Sequence, residues 1–596
     1  MLNQIFKMKI TQTTLLFIAL ISIFSSNLAS AQEIDILSGV KIKLRDGVQL
    51  NATIYKPHEQ KESLPVILQL TPYISDTYHP RGTYFAKNGY VYAIVDVRGR
   101  GSSEGVFDPL MQEAKDGYDL VEWLATQKYC NGKVTMWGGS YSGYDQWATA
   151  KEFPPHLKTI VPVASVKPGV DFPIRYNVSY PYVAQWLTYT NGQTPNALLF
   201  NDKSYWASKF GERFQKDLPF KSLDTLVGNP NATFQKWVAH PTHDDYFKSM
   251  SPTPAQYAKI DIPILTITGH YDSDQPGALT YYKEFMQYAS SSAKSNHYLI
   301  IGPWNHAGTR TPNKEVGGLT FGDACLLNMD ALHKQWYDFT LKNGSRPDFL
   351  KNKVAYFVSN RNIWKYATSL DEIGKNKQSF FLNSNNTNLH NVVQSAVLQS
   401  SIPQNSIPAE YTYDPLDKTF SAIEFRMSGV AENYLTDQRL AYAIGNAGVI
   451  YHSALYENET EVSGFFELKA YIETDVKDVD IMASVYEIKN DGTSVLLTTQ
   501  TIRARYRDDL EKEKLLQSGE INLFHFKNFS FISRVIEKGS RLRLIISSPN
   551  GIYEQKNYCS GGVVANETAK DAHTAHIKIY NDSKHQSVLI VPVVKN

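Results

Sequence analysis

The 596-residue sequence predicts an α/β domain with a helical cap insertion, followed by an all-β, jelly-roll-like domain. Three observations carry that expectation. Short apolar, β-branched runs, Pro65 to Leu70 and Val91 to Asp96, are bounded by turn residues, as strands buried on both faces should be. The strand-like run Lys133 to Trp137 enters Gly138-Gly139-Ser140-Tyr141-Ser142-Gly143 and leaves as a helix-compatible run, Tyr144 to Ala150. Beyond Lys351 the pattern changes to many short strand-like runs separated by turn signals.

In chain order, the first segment has the form of a signal peptide. Lys7 and Lys9 precede an apolar run, Thr14 to Phe24, and Ala29-Ser30-Ala31 fits a cleavage site, so mature protein would begin near Gln32 and be exported, periplasmic or secreted. The run is too short to span a bilayer, and no later segment is long and apolar enough. Glu113 to Thr126 is a helix candidate, with Ala114, Tyr118, Val121 and Ala125 at helical spacing. From about Thr159 to Ile260 the α/β regularity is lost in a stretch rich in Pro, Trp, Tyr and Asn, with helical pieces such as Ala207 to Lys216; a lid belongs here. The α/β pattern returns with strands Pro263 to Thr268 and Tyr298 to Ile301 around a helix, Ala278 to Ala289. The C-terminal strands are read as Gly464 to Ile472, Asp480 to Ile488, Ser494 to Ala504, Arg541 to Ser547 and Ala575 to Tyr580, with a hairpin signal at Asn490-Asp491-Gly492. Asn383 to Asn405 reads as loop or linker. The chain therefore divides into a signal peptide (1–31), an α/β domain in two parts (32–155 and 259–350), a helical cap (156–258) and the β-domain (351–596).

Composition narrows the partners. The 60 basic and 59 acidic residues give a net charge of +1, which offers nothing to a nucleic acid. Cys130, Cys325 and Cys559 are too widely spaced for a metal motif, and each reads as a small buried residue. No metal or cofactor is implied. The partner is a small-molecule ester or peptide substrate; the oligomeric state is open.

Ser140 lies on a tight Gly-flanked turn between strand and helix, which is how α/β-hydrolases present a nucleophile. A serine hydroxyl needs a histidine base, and the histidine needs a carboxylate to fix its tautomer. The order Ser, Asp, His is met by Asp272, after Gly269-His270-Tyr271, and His306, after Gly302-Pro303-Trp304-Asn305. Asp274 competes with Asp272 as a helix cap. Position 142 is Ser where the generic signature has Gly, and Ser142 is a weaker nucleophile candidate because position 140 would then have to be Gly. The oxyanion donors are read as the Tyr141 N–H and a group in Thr71-Pro72-Tyr73, either a backbone N–H or the Tyr73 hydroxyl.

These stretches resemble the family of cocaine esterase, α-amino acid ester hydrolases and X-Pro dipeptidyl peptidases. Further matching motifs are Asp96-Val97-Arg98-Gly99-Arg100-Gly101-Ser102-Ser103-Glu104-Gly105, His270-Tyr271-Asp272, His240-Pro241-Thr242-His243-Asp244-Asp245-Tyr246 and Ile502-Arg503-Ala504-Arg505-Tyr506-Arg507. The resemblance implies Ser140, Asp272 and His306 as triad, and the Tyr73 hydroxyl with the Tyr141 N–H as oxyanion hole. It also implies an acidic pair after the triad aspartate where a substrate ammonium is bound. Asp274 can fill one place and Gln275 does not fill the other; Asp171, Asp244 and Asp245 are further carboxylates in the cap. The Arg98 stretch is read as ordering the loop beside the site. The expected activity is serine hydrolysis of an acyl ester, with an X-Pro dipeptidyl peptidase and a non-catalytic carbohydrate-binding protein as alternatives.

Overall fold

The computed structural model describes residues 33–594, apart from 386–388, 394, 405–406 and 428–431. The segment read as a signal peptide lies outside the described residues. The first sheet is built from β1 (Ile34–Lys43), β2 (Gln49–Pro57), β3 (Leu64–Thr71), β4 (Val91–Asp96), β5 (Cys130–Gly139) and β6 (Leu157–Val163). Within the cap, β7 (Ile174–Arg175) and β8 (Val178–Ser179) form a separate two-stranded hairpin. The sheet resumes with β9 (Ile264–Tyr271) and β10 (His297–Asn305). A second small pair, β11 (Glu315–Val316) and β12 (Leu319–Thr320), precedes β13 (Val354–Val358) and β14 (Ile363–Ala367).

The order across the large sheet is β1-β2-β4-β3-β5-β6-β9-β10-β13-β14. Strands from β4 to β13 along that order run parallel, while β1, β2 and β14 pair antiparallel at the edges. The continuous apolar runs follow from coverage on both faces. Val66, Leu68 and Leu70 pack with Leu120, Val121, Leu124, Trp147 and Phe285 on one side. Ile67, on the opposite face, packs with Phe85, Trp336 and Tyr337 on the other.

Several boundaries differ from the sequence reading. Leu157–Val163, assigned to the cap, is the central strand β6; Pro162 breaks its β-branched pattern without costing it its place. β13 and β14, assigned to the β-domain, extend the first sheet, and Ser359 just beyond β13 bridges to Arg534 of the second. Within the stretch read as linker, Ala396–Gln399 is a strand paired to Asn376–Asn383 and Gly448–Ser453. The single strand expected from Gly464 to Ile472 is two, Thr460–Gly464 and Glu467–Thr474, because Gly464 takes φ +131° at the break.

The remaining strands, Asn376–Asn383 to Val588–Val593, form one 13-stranded hydrogen-bonded network. Glu467–Thr474 alternates strictly between half-buried and buried residues, and its inward Leu468, Ala470 and Ile472 join Phe524, Phe526 and Ile577 in the core. The cap has its own aromatic core, which includes Phe172, Trp186, Phe210 and Trp237. Cys130, Cys325 and Cys559 are unbridged and buried. Among the described residues no helix is long and apolar enough to cross a membrane.

Candidate active site

β5 ends in a turn that few sequences can make. Ser140 takes φ 62° and ψ −122°, a strained backbone for a non-glycine residue. A Cβ on Gly138 would lie 2.4 Å from the Ser142 Cβ, and one on Gly143 would lie 2.8 Å from the Val163 carbonyl oxygen. Those two glycines are there because the crossing backbone leaves no room. Ser142 fits because it is small and its buried hydroxyl donates to the Leu70 carbonyl at 2.5 Å. The departure from the generic signature is thus a hydrogen bond to β3.

Asp272 and His306 stand just beyond the ends of β9 and β10. His306 Nδ1 lies 2.7 Å from Asp272 Oδ1. Asp272 is held by Thr268, whose hydroxyl donates to Oδ2 at 2.8 Å, and by the Asp274 N–H, which donates to Oδ1 at 3.0 Å. Asp274 forms no side-chain cap on the helix Gln275–Tyr288. Instead its Oδ2 lies 3.4 Å from His306 Nδ1 and accepts from the Ser140 hydroxyl at 3.5 Å. Burial opposes the charge on His306, but Asp274 and Asp272 outweigh it and the imidazole pKa is raised. Burial also opposes the Asp272 charge, yet His306 and the donated hydrogen bonds hold that carboxyl below its usual range. Asp274, with fewer donors and Asp272 beside it, is raised, chiefly by burial. The three groups titrate as a unit. Their ligand atoms all lie within 4.8 Å of one another, close enough to hold a cation. Both Asp272 oxygens are already committed to hydrogen bonds, so a metal would have to displace them.

Tyr141 and Tyr73 complete the wall. Tyr141 begins the helix Tyr141–Ala150, so its N–H has no intrahelical acceptor. Its phenol is fixed behind the turn by Glu113 Oε1 and by the Leu110 N–H, which donates at 2.8 Å. Tyr73 follows β3, stacks on Tyr189 and accepts from Trp186 Nε1 at 3.1 Å, which leaves its own proton to donate. Burial raises its pKa well above the ordinary value, so it stays a neutral donor. Ile74 next to it sits at φ 62°, rare for a β-branched residue. Arg100 ties this loop to the cap: Nε donates to the Pro72 carbonyl at 2.8 Å and Nη1 to the Thr190 carbonyl at 2.7 Å.

Ser140, Tyr73, Tyr141, Asp274 and His306 all face one cavity of about 310 Å³. Phe172, Trp186, Tyr180 and Tyr182 of the cap give it aromatic walls. The cavity adjoins a larger one, about 830 Å³, through the shared residues Arg175, Tyr180, Ser273 and His306. The β-domain closes the larger one with Thr498, Gln500, Asn528 and Glu554.

Two family models match the chain in tandem. Residues 46–308 match X-Pro dipeptidyl-peptidase (S15 family), and residues 352–590 match the X-Pro dipeptidyl-peptidase C-terminal non-catalytic domain. The chain belongs to the S15 family of α/β-hydrolases. Cocaine esterase from Rhodococcus sp. (strain MB1 Bresler) is 24% identical over 592 residues, 94% of this chain and 99% of that protein. Among solved structures, an aminopeptidase from a marine sediment Thaumarchaeota archaeon superposes with TM-score 0.81 at 18% identity, covering 94% of this chain and 97% of that one. An α-amino acid ester hydrolase superposes with TM-score 0.80 at 18% identity, covering 95% and 97%. This S15-family chain is a serine hydrolase of ester or peptide bonds.

The family motifs outside the turn serve as struts. Arg98 forks onto Asp116 with two hydrogen bonds of 2.6 Å. In the cap motif, His240 Nδ1 lies 2.7 Å from Asp244 Oδ2, Asp244 caps the helix Asp245–Lys248, and the Thr242 hydroxyl lies 3.1 Å from the Tyr506 hydroxyl. Asp171 accepts from the Lys167 and Gly277 N–H groups and is buried outside both cavities. Asp245 is exposed on its helix. Of the cap carboxylates weighed from sequence, none reaches the cavity. Arg175 does, and sequence reasoning did not single it out. Its signal was a two-residue hairpin turn, Tyr176-Asn177, directly after it.

Proposed function

We propose that the protein is an exported serine esterase that works through an acyl-enzyme on Ser140. The observation that carries the reading is the convergence of the strained Ser140, the His306–Asp272 pair at 2.7 Å and the Tyr73 hydroxyl on one cavity. With Nδ1 committed to Asp272, His306 keeps Nε2 as the base. Ser140 Oγ bonds to the ester carbonyl carbon as its proton passes to His306 Nε2, and the carbonyl oxygen becomes an oxyanion. The Tyr141 N–H and the Tyr73 O–H donate to that oxygen. The intermediate collapses, the C–O bond to the alcohol breaks, and His306 returns the proton to the departing oxygen. A water then repeats the sequence on the acyl-enzyme and releases the acid. Asp272 fixes the ring and stabilises the imidazolium.

The ester reading is preferred to the X-Pro peptidase because the cap offers no acidic clamp: Asp171 is tied to backbone N–H groups and Asp244 caps a helix. Of the β-domain aromatics, Tyr411, Tyr413, Phe524, Phe526 and Phe529 are buried in its core and closed to a carbohydrate, whereas Tyr434, Tyr442 and Tyr553 are exposed, so the preference for an enzyme over a carbohydrate-binding protein rests on the Ser140 site.

Ser140→Ala is expected to lower hydrolysis of 4-nitrophenyl acetate by about 10³-fold or more and to abolish fluorophosphonate labelling, with an unchanged circular dichroism spectrum. Full activity in that variant would overturn the proposal. Tyr73→Phe is expected to lower kcat by about 10²-fold with a smaller change in KM, as for loss of one oxyanion donor.

A further inference from the structure

Arg175, exposed on the cap hairpin, brings its guanidinium to the rim of the substrate space. It lines both the cavity at Ser140 and the larger one beyond it. Among the described residues its one side-chain hydrogen bond runs from Nη2 to the Ser273 carbonyl, at a long 3.4 Å. The Tyr180 ring lies 5.4 Å from its Cζ and supports the plane of the fork. Among the described residues no Asp or Glu forms an ion pair with it. The acids that share its surroundings are otherwise engaged: Asp274 with Ser140, His306 and Ser273, and Asp171 with backbone N–H groups. Glu554 lines the larger cavity; burial raises its pKa to about 7 against the pull of Arg175, and Glu554, Asp171 and Asp274 all favour the Arg175 charge without forming an ion pair with it. By contrast, Arg503 and Arg505 of the β-domain are matched to Asp480 and Asp478.

The position is also built. Ile174 pairs with Ser179 and Arg175 with Val178, leaving Tyr176 and Asn177 as a two-residue turn with φ 46° and 70°. Positive φ at both positions is the hairpin geometry normally left to Asn and Gly. The turn is clamped from outside. Asn177 Nδ2 donates to the Pro241 and Leu510 carbonyls, both at 2.9 Å, and Arg503 Nη1 donates to the Asn177 carbonyl at 3.2 Å. Cap and β-domain together hold Asn177, two residues after Arg175, in an uncommon conformation, as binding sites tend to require. The hairpin thus fixes the backbone from which the guanidinium reaches the cavity, and a guanidinium fork suits a carboxylate.

We propose that Arg175 is a substrate-anchoring residue and that the preferred ester bears a carboxylate on its acyl chain or on its alcohol. The inference rests on the Ser140 acyl-enzyme reading. It makes a free ammonium at this end of the cavity unfavourable, so α-amino esters would be poor substrates.

The test compares charged and neutral esters of matched shape. One arm places the charge on the acyl side, 4-nitrophenyl hemiglutarate against 4-nitrophenyl methyl glutarate. The other places it on the leaving group, 3-acetoxybenzoate against its methyl ester. The wild-type protein is expected to favour the carboxylate in one arm by about 10-fold or more in kcat/KM, mostly through KM, and the favoured arm identifies the side. Arg175→Gln should bring that ratio to about 1, and Arg175→Lys should restore part of it. A wild-type ratio of 1 or below in both arms would overturn the inference, as would a preference that survives Arg175→Gln. The wild-type ratio does not depend on how well the variants fold. Failure of the underlying reading looks different: Ser140→Ala would then keep turning over charged and neutral esters alike.

Discussion

Asp274 gives His306 a second negative neighbour, and that has a measurable consequence. In the proposed mechanism the imidazole must be neutral to act as base, so kcat/KM on a neutral ester should rise with pH as His306 loses its proton. Because the carboxylates raise its pKa, that acid limb should lie above the ordinary imidazole value of about 6.5. Asp274→Asn removes the largest raising influence, so the limb should move to lower pH; a pH–rate profile that stays in place would contradict the assignment. Gly143 gives a stability counterpart. A methyl group there would meet the Val163 carbonyl oxygen at 2.8 Å and the Ser165 Cα at 3.0 Å, both backbone atoms that cannot step aside. Gly143→Ala should cost about 1–3 kcal/mol in urea unfolding. At this scale the sequence was informative wherever sterics leave one choice, as in the Gly-flanked turn. It was silent on Arg175, whose meaning depends on which carboxylates fail to reach it.

Among the elements, the helix Glu113–Ala125 is instructive. Its existence was legible, but its buried face was not. The expected stripe ran through Ala114, Tyr118, Val121 and Ala125, whereas the buried residues include Glu113, Asp116, Gly117, Leu120, Val121 and Leu124. Two acids lie inward because each has a partner distant in sequence: Glu113 the Tyr141 phenol, Asp116 the Arg98 fork. Hydropathy periodicity cannot anticipate a buried charge paired from another element. Arg98→Ala would strand Asp116 in the interior and should lower stability by about 3 kcal/mol. The strand β6 shows the same limit from the other direction. Its seven residues follow a loop and precede a long insertion, so pattern alone gave it to the insertion, and only its pairing between β5 and β9 identifies it.

For the molecule as a whole, alternating strands and helices and the later change to short strands were enough to foresee an α/β-hydrolase part followed by a β-rich part. How they meet was not in the pattern. The Arg503 fork, bidentate on Asp480 and reaching Asn177, joins the β-domain to the cap hairpin. The substrate space is therefore a property of the assembled chain. The export proposal belongs at this scale too: N-terminal sequencing of protein recovered from outside the cytoplasm should begin at or near Gln32. Finally, the three buried thiols report on where the molecule opens. Cys130 belongs to the core between the first sheet and its helices, while Cys325 and Cys559 belong to the core of the second. Each is shielded from alkylating reagents until its own surroundings loosen, and burial further suppresses its thiolate. Pulsed iodoacetamide labelling during denaturation, read by mass spectrometry, would give the order in which the two halves of this hydrolase come apart.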